Sequence, residues 1–78
     1  MEKAVAEIKA AVREILGDVA SQIFLGRVDR ALDEGLKDRE SLSQACTRVE
    51  KMVNLFIGVN EAKVIASRCR EIIGKLAA

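Results

Sequence analysis

The chain has 78 residues, half of them hydrophobic, with thirteen Lys and Arg against twelve Asp and Glu and neither proline nor histidine. Such a length holds one small core of roughly 3–5 kcal/mol net stability, and a formal charge of +1 makes no field that would gather nucleic acid or anionic lipid. No apolar run approaches the ~18 residues that span a bilayer, no charged-then-apolar leader opens the chain, and two cysteines make no disulfide framework; a cytoplasmic, reducing setting is expected.

Helix formers dominate, and no strand-like alternation persists, so the expected fold is all-α: a compact four-helix arrangement with helices about 2–16, 18–34, 41–57 and 60–76, in a single helical domain over residues 1–78. In the first helix Val5, Ile8, Val12 and Ile15 recur at helical spacing, with Ala4, Ala11 and Leu16 widening the stripe. Gly17 interrupts it, and Asp18 is the expected cap of the second helix. That helix places Ala20, Ile23, Phe24, Val28, Ala31 and Leu32 on one face and ends at Gly35, with Leu36 positioned for the apolar contact of a Schellman-type stop.

The third helix organises the chain. Leu42, Ala45, Cys46, Val49, Met52, Val53 and Phe56 fall in one arc, Ser41 and Gln44 fit a capping box, and Gly58 is the expected left-handed stop. Asn60 then caps a fourth helix whose face carries Ala62, Ile65, Ala66, Cys69, Ile72, Ile73 and Leu76. Short connections make sequential helices antiparallel neighbours. In an antiparallel hairpin turning at Gly58 to Asn60, Cys46 and Cys69 stand at similar heights, roughly 18 and 14 Å from the turn at 1.5 Å per residue. Two readings stay open for this pair: a redox-sensitive staple, or two small buried hydrophobes.

Chemistry of other kinds finds little support. Without histidine there is no Ser–His or Cys–His nucleophile pair, no His-ligated metal and no histidine phosphotransfer, and no CxxC, carboxylate-rich loop or phosphate-cradling glycine loop is present. No enzyme, cofactor or metal site is expected. Arg48, Lys51, Lys63, Arg68, Arg70 and Lys75 decorate the last two helices, but Glu50, Glu61 and Glu71 interrupt them and stacking aromatics are missing, so nucleic-acid binding is the weaker alternative.

Leu16-Gly17 followed by Val19-Ala20, together with Gly58 and Ala62, resembles a small helical module found beside kinase, cyclase, FHA or roadblock-type domains in bacterial signalling proteins. The resemblance implies a protein-interaction or dimerisation accessory without catalytic residues. The residues add a surface to that expectation. Leu25, Leu32 and Leu36 sit at the edge of the second helix's apolar arc, and Leu55 and Val64 lie off their core stripes. These five form the expected interaction surface, for another protein or a second copy.

Overall fold

The computed structural model describes residues 1–76, and among them the secondary structure is helical throughout: α1 (Glu2–Leu16), α2 (Gln22–Asp33), a one-turn 3₁₀ segment η1 (Glu34–Leu36), α3 (Arg39–Phe56) and α4 (Val59–Leu76). The four helices close into a ring in which α1 packs on α2, α2 on α3, α3 on α4 and α4 back on α1, with α3 and α4 the most extensive pair. The bundle measures 34 × 21 × 18 Å, its long axis set by the two 18-residue helices, which are about 27 Å long at 1.5 Å per residue.

The core is one cluster. Val5, Ile8, Val12 and Leu16 of α1 meet Leu25, Val28 and Leu32 of α2, Leu42, Val49 and Val53 of α3, and Ile65 and Ile72 of α4. Small residues set how closely the helices approach: Ala4, Ala45, Ala62, Cys46 and Cys69 are all buried in the same cluster. No polar or charged residue is buried among the described residues, so the interior is held by burial and packing alone.

Two ion pairs at a constant register join α1 to α2 on the outside. Lys9 bonds Asp33 at 2.5 Å, and Arg13, one turn on, bonds Asp29, one turn back. The antiparallel register is thereby marked twice. Glu34 of η1 takes the guanidinium of Arg48, tying the 3₁₀ turn to α3.

The helix starts and stops differ from the expected ones in instructive ways. Asp18 does not cap α2. Residues 17–19 form a turn in which the Leu16 carbonyl accepts from the N–H groups of Val19 and Ala20, and the Ser21 hydroxyl, accepting from the Phe24 N–H at 3.1 Å, opens the helix at Gln22. Reversing the chain between antiparallel helices consumes the residues that a simple cap would have saved. Ser41 lies inside α3, not before it: the extended Asp38 is the cap, its Oδ1 accepting from the Ser41 N–H at 2.7 Å.

Neither expected glycine stop is left-handed, because no glycine here has a positive φ. Ile57, at φ −116°, ends α3, and the Val53 carbonyl accepts from both the Ile57 and Gly58 N–H groups. Gly35 has a different purpose. It is buried in η1, where a Cβ would stand 2.7 Å from the Leu42 Cα, so its lack of a side chain lets η1 lie directly on the α3 backbone.

Candidate interaction surface and the paired thiols

The five residues expected to form a surface are not brought together. Leu25 and Leu32 are core residues, 3% and 0% exposed. Their stripe, Leu25–Val28–Leu32, is the face that α2 turns inward, and the apolar arc is rotated from its expected position so that Ile23 points out instead, 75% exposed. The apolar positions of α2 run most of the way round the helix, so burying the Leu25–Val28–Leu32 stripe turns Ile23, about 180° from Leu32 at 3.6 residues per turn, to the outside. Leu36, Leu55 and Val64 are exposed as expected, but on three separate elements, η1, α3 and α4.

An apolar surface exists elsewhere. The first turn of α2 meets the last turns of α3 at one end of the bundle, where Ile23, Phe24, Met52 and Phe56 line a hollow of about 210 Å³ rimmed by Arg27 and Ser21. Phe24 and Phe56 pack edge to face, ring centroids 5.9 Å apart with an interplanar angle of 61°. Phe24 and Met52 are half-buried against the core, whereas Ile23 and Phe56 are largely in water, Phe56 at 67%. Both aromatic residues of the chain and a methionine thus meet at one place, with a cation beside them. Aromatic, methionine and arginine side chains are the types enriched where proteins touch.

Periodicity assigned both Ile23 and Phe56 to the core, but the phase is correct only for Phe56; Ile23 stands about 180° from Leu32 at 3.6 residues per turn. Phe56 is excluded by its position along the helix: it is the last residue of α3, where the ring of Phe24 covers it only in part. The signals available in the sequence were the wheel position of Ile23, opposite Leu25 and Leu32, and the nearness of Phe56 to the chain reversal before Val59.

A second hollow, about 180 Å³, runs along the α3–α4 seam, and both cysteines line it together with Ser43, Glu50, Arg70 and Ile73. Cys46 and Cys69 are free and buried, 7% and 3% exposed. Their titrations are linked. Cys46 is drawn below the ordinary thiol value because its thiolate accepts a hydrogen bond from the Cys69 S–H, against the opposing effect of burial. That same bond pushes Cys69 up, reinforced by burial and by the negative charges of Cys46 and Glu50. Once one of the two thiols ionises, the other keeps its proton and donates it across the pair.

The basic residues of α3 and α4 are dispersed among acids. Arg48 is paired with Glu34; Lys51 and Lys63 share a hollow with Glu50; Arg68 and Lys75 face Glu7, Glu14 and Glu71. Among the described residues no three acidic or cysteine side chains gather where they would hold a metal ion, and no helix is long and apolar enough to cross a membrane. No family model, curated protein or solved structure matches this chain.

Proposed function

We propose that this domain is a non-catalytic protein-interaction module that docks through the bundle end formed by Ile23, Phe24, Met52 and Phe56, with a second copy of the chain as the simplest partner. The observation that carries this reading is the joint exposure of Ile23 and Phe56 around the half-buried Phe24 and Met52. Contiguous apolar side chains of this size in water favour association, and the Phe24–Phe56 contact holds the surface in one shape beforehand, which lowers the ordering cost of binding. The accessory role implied by the resemblance to helical modules of bacterial signalling proteins agrees with it.

Light scattering across a concentration series tests the self-association form. The wild-type mass is expected to rise from monomer to dimer, and Ile23→Glu, at a position already three-quarters exposed, is expected to stay monomeric while keeping its helix content. Added salt is expected to leave the association intact, since apolar contact dominates it. A wild-type monomer at every concentration would remove the homodimer, and photo-crosslinking from position 23 would then decide whether another protein covers the patch.

A further inference from the structure

We propose that Cys46 and Cys69 are the two halves of an intramolecular disulfide formed by hydroperoxide, stapling α3 to α4 across the floor of the seam hollow. Three structural observations support it. The two residues occupy matched positions on antiparallel helices that form the most extensive pair in the bundle: Cys46 and Cys69 are equally spaced about the Ile57–Gly58 connection, as are Val53 and Ala62, both buried in the core cluster. Both line one hollow rather than lying under separate parts of the core. That hollow has room for a small oxidant, being several times the ~30 Å³ that a water molecule occupies in the liquid.

The environment divides the roles. Cys46, the more exposed of the two, is the attacking thiolate, and Cys69 is the resolving thiol. The Cys46 sulfur attacks one oxygen of the hydroperoxide. The O–O bond breaks, and the departing oxide takes the proton that Cys46 gave up, leaving a sulfenic acid. The Cys69 sulfur then attacks the Cys46 sulfur, the S–O bond breaks, and water leaves with the Cys69 proton. Two thiols and one hydrogen peroxide become one disulfide and two waters, the two electrons passing from sulfur to the O–O bond.

The consequence is mechanical. Because α3 and α4 are already adjacent, the bond leaves the fold in place and instead restricts the unfolded chain over the segment between the two cysteines, which includes the whole connection between the helices. Oxidation is expected to raise the melting temperature by roughly 10–25 °C, the shift that a disulfide of ordinary strength produces in a domain of this size.

The test uses the whole chain. Reduced protein is treated with hydrogen peroxide, unfolded in the presence of a thiol-alkylating reagent and weighed by mass spectrometry. The expected product is a monomer on a non-reducing gel, lighter by two hydrogen atoms, carrying no alkyl label, and yielding on digestion one peptide pair joined through Cys46 and Cys69. A dithiol reductant restores both labels and the lower melting temperature. In Cys69→Ser, oxidation is expected to stop at a Cys46 sulfenic acid that a dimedone-type probe captures. Two alkylated cysteines after peroxide treatment, added oxygen on one cysteine without a joined pair, or a disulfide between two molecules would each overturn the proposal. The wild-type mass decides the matter even if the serine variant does not fold.

Discussion

Gly35 and Gly26 are both helical and neither has a positive φ, yet a methyl group has opposite consequences at the two positions. At Gly26 no atom lies within 4 Å of an added Cβ, so Gly26→Ala is expected to stabilise the domain by about 0.5–1 kcal/mol by restricting the unfolded chain and improving helix propensity. At Gly35 the added carbon meets the Leu42 Cα at 2.7 Å, backbone that cannot rotate away, and Gly35→Ala is expected to cost about 1–3 kcal/mol. Urea denaturation followed by circular dichroism reads both, and a neutral Gly35→Ala would mean that η1 does not rest on α3 as described. Asp38 adds a pH signature. The Ser41 N–H, then the Ser41 hydroxyl, hold its carboxyl below the ordinary 3.8, with Lys37 adding to them and the small loss of solvation opposing. A depressed folded pKa contributes stability that is complete above the unfolded value and is lost as pH falls through the folded one. Asp38→Ala is therefore expected to melt below the wild type at neutral pH, with the gap narrowing as pH falls below 3.8. A gap that is constant with pH would count against the charged cap.

Within α2, adjacent turns serve different purposes. Leu32, with no exposed surface, touches the core from all sides, and Leu32→Ala is expected to cost about 2–5 kcal/mol through lost burial and the cavity left behind. Ile23→Ala, two turns and more upstream, is expected to change stability by no more than about 0.5 kcal/mol. Chemical denaturation of the two variants separates the inward face of α2 from its outward face. Equal losses would mean that the helix is rotated from the orientation described. The ion pairs that mark the α1–α2 register contribute less: Arg13 and Asp33 are each about half in water, and exposed pairs contribute up to about 1 kcal/mol. Register comes chiefly from the interlocking of Val5, Ile8 and Val12 with Leu25, Val28 and Leu32, and the charges agree with it.

Over the whole molecule, a closed ring of four helices covers its own core everywhere except where helices end. The bundle end at Ile23 and Phe56 is left over by geometry, since Ile23 lies on the outward side of α2 and Phe24 covers the last residue of α3 only in part. Association through that end predicts that the melting temperature of the wild type rises with protein concentration, as binding to the folded state requires, whereas that of Ile23→Glu does not. Calorimetry over a wide concentration range checks it. The oxidation proposed for the α3–α4 seam involves residues distinct from those of the patch, so the two properties can be measured in one sample: covalent state by mass, association by light scattering.

What the sequence determined by itself was the class and the order of the fold. Four apolar stripes at helical spacing with brief polar interruptions allow little besides four sequential antiparallel helices, and α1 begins and ends where periodicity places it. The near-equal heights of Cys46 and Cys69 were also legible, because a hairpin of two helices with a short turn converts sequence distance directly into height. Tertiary structure alone decided which part of a wide stripe faces inward. Leu25 and Leu32 lie on one side of α2 and Ile23 on the other, all apolar, and only the placement of α2 against its neighbours decides which side faces inward. It also decided the caps, because Ser21 and Asp38 compete with Asp18 and Ser41 through the path of the chain reversal, a property of the helix pair and not of the local residues. Gly35 shows the same limit: a glycine that ends a helix by its φ and a glycine that admits a neighbouring backbone read identically in sequence, and only the Leu42 Cα distinguishes them.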